Sequence, residues 1–225
     1  MRRDDIAFLH TAPVHVATFD ALLRAMAPGL QAHHAVDESL LADAQRWGVD
    51  DPGLVLRVHA AMRAAATGGA GQVVCTCSTL GALAEGMPAD DGFQPARIDR
   101  AMADRAVQQG PRVLLAFALA STQRPTQALL ADSAARLRRP LAVTPLQVDG
   151  AWACFEQGDR AGYLDRIARA VRAHADGVDV VVLAQASMAG AAEHLLDLRK
   201  RGLDVLSSPA PGVAAVVERW RASLA

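Results

Sequence analysis

Short apolar runs alternate with longer amphipathic stretches along almost the whole chain. Runs of strand length lie at Ile6 to Leu9, Gln31 to Val36, Gln72 to Cys75, Arg112 to Ala118, Leu141 to Val148, Val178 to Leu183 and Asp204 to Leu206. Stretches with helical spacing lie between them, near Val14 to Met26, Leu54 to Ala66, Ala96 to Gln108, Thr126 to Arg138, Arg160 to His174 and Ala191 to Arg201, with Val213 to Leu224 closing the chain. The clearest is Leu164, Ile167, Ala168 and Val171, apolar at i, i+3, i+4 and i+7 opposite Asp165, Arg166 and Arg172. That face should pack on a sheet. Strand–helix alternation of this kind predicts an α/β protein whose parallel sheets carry helices on their faces.

The pattern also repeats. Val73-Val74-Cys75-Thr76-Cys77-Ser78-Thr79-Leu80-Gly81 is an apolar strand running into small polar residues, and Val181-Val182-Leu183-Ala184-Gln185-Ala186-Ser187-Met188-Ala189-Gly190 has the same form. The offset that lays Cys77 on Gln185 also lays Leu9 on Phe117 and His34 on Ala142. The chain therefore reads as two similar βαβαβ halves. Gly86-Met87-Pro88 through Gln94-Pro95 is the best linker between them, and the chain is expected to return to the first half near Ser207-Ser208-Pro209. The expected domains are residues 1–94 with 207–225, and residues 95–206.

Length and composition fit that division and narrow the partners. The 225 residues suffice for two small cores, and 52% hydrophobic residues mark a folded chain. A formal net charge of −1 leaves no electrostatic footprint for nucleic acid. No uninterrupted apolar run approaches the roughly 20 residues of a membrane span. Met1-Arg2-Arg3-Asp4-Asp5 leads into a strand rather than a signal-peptide core, so a cytoplasmic protein without a membrane partner is expected. The three cysteines, Cys75, Cys77 and Cys154, have no disulfide-framework spacing and should be reduced.

Parallel sheets of this type bind ligands beyond the carboxyl ends of their strands. Four polar loops sit at such ends: His10-Thr11-Ala12-Pro13, Cys77-Ser78-Thr79, Ser121-Thr122-Gln123 and Gln185-Ala186-Ser187. Hydroxyls and backbone N–H groups in such loops suit a small carboxylic acid. Thr11, Ser78, Thr79, Ser121, Thr122, Gln185 and Ser187 are the substrate-binding candidates, although helix capping is the commoner use of Ser and Thr. No glycine-rich dinucleotide or phosphate-loop fingerprint follows the first strand, so no nucleotide cofactor is expected.

Cys77-Ser78-Thr79 after a hydrophobic strand resembles the Cys-Asn-Thr or Cys-Ser-Thr motif of the aspartate/glutamate (hydantoin) racemase superfamily. Arg97-Ile98-Asp99 opening an alanine-rich helix, Phe117 to Thr122, and Val181 to Ser187 extend the resemblance over most of the chain. It implies two α/β domains of Rossmann-like or flavodoxin-like form related by a pseudo-twofold axis, an active site between them, no metal or organic cofactor, and a homodimer. The superfamily includes amino-acid and hydantoin racemases, maleate isomerase-like enzymes and arylmalonate decarboxylase-like enzymes. Its two-base racemases carry a cysteine in both motifs, whereas the second position here is Gln185.

That departure bears on mechanism. Stereoinversion needs one group to remove the α-proton and another to deliver a proton to the opposite face. A carboxamide does neither near neutral pH but can hold a developing enolate oxygen, which makes Gln185 an orienting residue. His10 is the available second acid or base. Cys77 remains the catalytic candidate, as a thiolate base or nucleophile if its pKa falls below about 8.5, or as a thiol that protonates an enolate. Two classes stand: an isomerase or racemase acting on a small amino or dicarboxylic acid, with a single-cysteine decarboxylase or lyase as its variant, and a non-catalytic carboxylate-binding protein. Cys75 is expected to pack. A Cys-x-Cys metal site would need further ligands from His10, His33 or His34. Of the adjacent histidines 33 and 34, one should face inward and one outward.

Overall fold

The computed structural model describes residues 5–88 and 92–223, and two units emerge. One runs to Asp99 and takes up the chain again from Pro209; the other spans Arg100–Ser208. Each unit is described by itself.

The first contains β1 (Asp5–His10), α1 (Val14–Met26), β2 (Ala32–Val36), α2 (Ser39–Trp47), α3 (Pro52–Ala65), β3 (Ala70–Cys75), the short α4 (Gly81–Glu85) and β4 (Gln94–Arg97). All its strand pairs are parallel, in the order β2-β1-β3-β4, with Leu9 opposite Cys75 and Cys75 opposite Arg97. Parallel strands covered on both faces read as continuous apolar runs, which is why Ile6 to Leu9 and Val73 to Cys75 show no polar alternation. Ala7, Leu9, Val73 and Cys75 pack with Leu40, Leu54, Val58 and Met62 from α2 and α3. Phe8 meets Phe19 of α1 in a tilted ring contact on the opposite side.

The second unit contains α5 (Arg100–Gln109), β5 (Arg112–Phe117), α6 (Gln123–Leu137), β6 (Ala142–Gln147), α7 (Ala151–Glu156), α8 (Arg160–His174), β7 (Val180–Leu183), a 3₁₀ segment (Ala186–Leu195), α9 (Leu196–Lys200) and β8 (Asp204–Ser207). Its parallel order is β6-β5-β7-β8, the same permutation as in the first unit. The repeat read from the sequence is therefore a repeat of topology. Leu164, Ile167, Ala168 and Val171 of α8 do pack on the sheet, against Leu114, Ala116, Val181 and Leu183. Val113, Leu115, Phe117, Val180 and Val182 face α5 and α6 from the other side. Pro145 stands in β6, an edge strand, where its missing N–H disrupts no central ladder.

Three differences from the sequence reading have physical causes. The expected linker through Gln94 and Pro95 ends in a strand, β4, and this pairing with β3 assigns residues 95–99 to the first unit. Its low apolarity, Gln-Pro-Ala-Arg, hid it. Arg97-Ile98-Asp99 consequently does not open a helix but links β4 to α5, which begins at Arg100. The helix expected over Ala191 to Arg201 is split, its first half belonging to a 3₁₀ segment that begins at Ala186 and its second half to α9.

The closing helix α10 (Pro209–Ser223) belongs to the first unit and lies against the end of β4. A Cβ at Gly212 would collide with the carbonyl oxygen of Ile98. Gly212→Ala is therefore expected to cost about 1–3 kcal/mol through overpacking, read from chemical denaturation. No described helix is long and apolar enough to cross a membrane.

Candidate active site

β1 and β3 are hydrogen-bonded neighbours, so their following loops lie side by side at the carboxyl edge of the first sheet. The backbone ties continue past the strands: Thr76 N–H donates to the Leu9 carbonyl at 3.0 Å, and Ile98 N–H to the Cys75 carbonyl at 3.0 Å. The topology thereby brings His10, Thr11, Cys77, Ser78 and Thr79 together, as the strand-end argument expects.

Cys77 is the partly exposed cysteine of this edge, while Cys75 is fully buried in the core below it. The Cys77 sulfur is met by the Thr11 hydroxyl, the Thr79 hydroxyl and the backbone N–H groups of Leu80 and Thr79. Burial among these atoms pushes the thiol pKa up, and the four donors offset this only in part. At neutral pH the group is thus a thiol, with donors in place for the thiolate it becomes on losing its proton. The lowered pKa that would make it a resting thiolate is not what the surroundings produce. Cys75 donates its S–H to the Cys77 carbonyl at 3.7 Å, and burial raises its pKa strongly. It packs, as expected. Among the described residues no group of three or more His, Cys, Asp or Glu side chains is arranged to hold a metal ion.

Under the Cys77-Ser78-Thr79 loop lies a buried ion pair that sequence reasoning missed. Arg97 Nε donates to Asp99 Oδ1 at 2.6 Å and its Nη2 to Oδ2 at 3.0 Å, a bidentate fork. The same Nη2 reaches the Ser78 carbonyl at 3.5 Å. Gly81 makes room for it, since a Cβ there would stand 2.8 Å from Arg97 Nε. The available signal was two opposite charges flanking Ile98 beside an apolar strand. With side chains only 3% and 1% exposed, removing one partner strands a buried charge. Asp99→Ala is expected to destabilise the first unit by about 3–5 kcal/mol, measured by urea denaturation.

His10 is fully buried, and both ring nitrogens are engaged: Nδ1 with Thr76 Oγ1 at 2.8 Å, and Nε2 with His34 Nδ1 at 2.8 Å. Its pKa is lowered to about 3 by burial and by the neighbouring His34 and His15. A ring so enclosed has no free nitrogen for a substrate proton, which argues against the sequence reading of His10 as the second acid or base. Thr76 is not singled out from the sequence, and His34 is weighed there only as a possible metal ligand and as one of an inward and outward pair, of which it is the inward-facing member and His33 the exposed one.

In the second unit β5 and β7 are likewise adjacent, and their ends assemble Ser121, Thr122, Gln185 and Ser187. Gln185 Oε1 accepts from the N–H groups of Ala118 at 2.8 Å and Leu119 at 3.1 Å. Only an oxygen can accept twice from N–H donors, so the amide orientation is fixed and its nitrogen is the part left for a ligand. Ser187 Oγ bonds the Tyr163 hydroxyl at 2.8 Å. Thr122 is buried and its carbonyl accepts from Thr126 Oγ1 at 2.9 Å. Ser121 Oγ is buried with no hydrogen-bond partner among the described residues.

No family model matches the chain, and no curated protein matches it in sequence. Solved structures do match. Aspartate racemase from Picrophilus torridus superposes with a TM-score of 0.73 at 13% identity, over 96% of this chain and 94% of that one. Glutamate racemase from Francisella tularensis subsp. tularensis SCHU S4, in complex with D-glutamate, gives 0.71 at 12% identity, covering 99% and 82%. A doubly substituted arylmalonate decarboxylase in the liganded form gives 0.62 at 19% identity, covering 95% and 91%. The chain has the two-domain α/β fold of these two racemases and of the decarboxylase.

Proposed function

We propose that the protein is an enzyme that places a single proton on the α-carbon of a small carboxylic acid, with the Cys77 thiol as the donor. One observation carries this reading: a partly exposed thiol, held protonated by burial, sits at the carboxyl edge of a parallel sheet amid four hydrogen-bond donors aimed at its sulfur. Those donors act where negative charge develops, which lowers the barrier to releasing the proton.

In the balanced step, a malonate-type substrate loses carbon dioxide and its breaking C–C bond leaves the electron pair as an enolate. The Cys77 S–H bond breaks, its proton goes to carbon, and the electron pair stays on sulfur as a thiolate facing Thr11, Thr79 and Leu80. A solvent proton restores the thiol. This needs one acid and no second base, in keeping with Gln185 at the second motif and the enclosure of His10. The likeness to arylmalonate decarboxylase supports it.

Racemisation or isomerisation of an amino or dicarboxylic acid is the second reading, favoured by the superpositions on aspartate and glutamate racemases. Arylmalonates and α-amino dicarboxylic acids incubated with the protein in deuterated water discriminate between them. A product deuterated at the α-carbon with one hand in excess supports the single-thiol reading. Deuteration of both hands from either enantiomer supports the racemase. Binding without product or exchange at carbon overturns both and leaves a carboxylate-binding protein.

A further inference from the structure

Four side chains of the first unit form an unbroken hydrogen-bonded line. Thr76 Oγ1 meets His10 Nδ1 at 2.8 Å, His10 Nε2 meets His34 Nδ1 at 2.8 Å, and His34 Nε2 meets Asp20 Oδ1 at 3.1 Å. The line runs from the solvent to the interior: the Asp20 side chain is 40% exposed, that of His34 11%, and His10 is fully buried. The two imidazoles are tilted by only 10° with centroids 5.1 Å apart, which with a 2.8 Å nitrogen separation makes them an edge-to-edge pair. Each N–H therefore points into the next lone pair, the geometry a relay needs.

The line touches the thiol loop at two places. Thr76 precedes Cys77, and Thr11, the residue after His10, bonds the Cys77 sulfur. We propose that Asp20, His34, His10 and Thr76 are a two-state proton relay that positions the Cys77 loop, its state set by one proton; the link to Cys77 rests on the thiol reading above.

The end states follow from what each atom can donate. An aspartate carboxylate only accepts, so His34 Nε2 carries a hydrogen. With both rings neutral, His34 Nδ1 must accept, His10 Nε2 carries the hydrogen, and His10 Nδ1 accepts from the Thr76 hydroxyl. Add one proton and the line reverses. With the added proton His34 carries hydrogens on both ring nitrogens, its Nδ1 donates to His10 Nε2, and His10 carries its own hydrogen on Nδ1, which faces Thr76 Oγ1. Thr76 Oγ1 then donates to the Leu9 carbonyl, which already stands 3.1 Å away. The charge rests on His34 against Asp20 while His10 changes tautomer and stays neutral. The titratable or charged groups facing His10 are His34 from β2 and His15 from α1; those facing His34 are His10 from β1 and Asp20 from α1.

Nitrogen-15 NMR of the full chain tests this without reference to activity. His10 is expected as the Nε2–H tautomer near about pH 8 and as the Nδ1–H tautomer near about pH 5, never as the cation. In Asp20→Asn the charge that stabilises the protonated line is gone, and whether the carboxamide accepts from or donates to His34 Nε2, His10 keeps one tautomer at both values; the position is half-exposed on α1 and spares the fold. The rate of Cys77 alkylation against pH is the second measurement. The wild type shows an inflection where the His10 tautomer changes, and Asp20→Asn loses it. A single His10 tautomer across the range, or identical alkylation profiles for the two proteins, overturns the relay. Absence of deuterium transfer to carbon would instead overturn the thiol reading and leave the tautomer result intact.

Discussion

Replacing Cys77 with alanine is expected to lower α-deuteration of the substrate by at least about a thousandfold, the upper part of the range for losing a positioned proton donor. The fold should hardly respond. The side chain sits in a loop at the sheet edge, so Cys77→Ala should move the denaturation free energy by no more than about 1 kcal/mol. Cys77→Ser should be nearly as inactive, because a hydroxyl surrounded by the same donors is a far weaker acid than a thiol. Cys154→Ser serves as the control. Cys154 lies on α7 between Trp152 and Phe155, in the other unit, and its loss should leave turnover unchanged. The pH dependence separates an acid from a base. If Cys77 works as a thiol whose pKa is raised by burial, kcat/KM persists into alkaline solution and falls only above the ordinary thiol value of about 8.5. A rate that instead rises through that value would identify the thiolate as the active form. Equal turnover by Cys77→Ala would remove this residue from the chemistry altogether.

How much of this was legible in the residues depends on the kind of signal. Apolar runs and helical spacing located β1, β3, β5, β7 and α8, because strands buried on both faces and a helix buried on one must be patterned that way. The strand-end rule then gathered Thr11, Cys77, Ser78 and Thr79 on one edge and Ser121, Thr122, Gln185 and Ser187 on another. Edge strand β4 escaped because Gln94-Pro95-Ala96-Arg97 has one face that needs no apolar residue and carries its burial in an ion pair. The hydrogen-bonded line from Asp20 to Thr76 escaped for a different reason. Its members stand on α1, β1, β2 and the loop after β3, and only the parallel register that sets Phe8 opposite His34 and Val74 brings them together. The direction of the Cys77 pKa was equally hidden, since burial and hydrogen bonds are properties of the assembled loop.

The buried rings of His10 and His15 give the first unit a marked acid sensitivity. His10 titrates near 3 and His15 near 4 in the folded protein, both lowered chiefly by burial, against an ordinary value of 6.5. Above about pH 6.5 both rings are neutral whether the chain is folded or not, and they contribute no pH dependence. Between about 6.5 and 3 the unfolded chain takes up protons that the folded one refuses, so unfolding gains on folding as the pH falls. The loss from His10 alone is of order 4 kcal/mol at the bottom of that window, comparable with the whole stability of many domains. Denaturant titrations should show the stability flat from about pH 8 to 7 and dropping steadily from about 6 to 4. His10→Gln supplies the decisive comparison. The variant loses part of the tie to Thr76 and His34 and is less stable at neutral pH, but its stability declines less steeply through the acid window because the most depressed group is gone. A variant whose acid slope equals that of the wild type would show that His10 is protonated in the folded state at moderate pH, and that the ring does not stand in the closed, neutral environment that its contacts with Thr76, His34 and Phe19 describe.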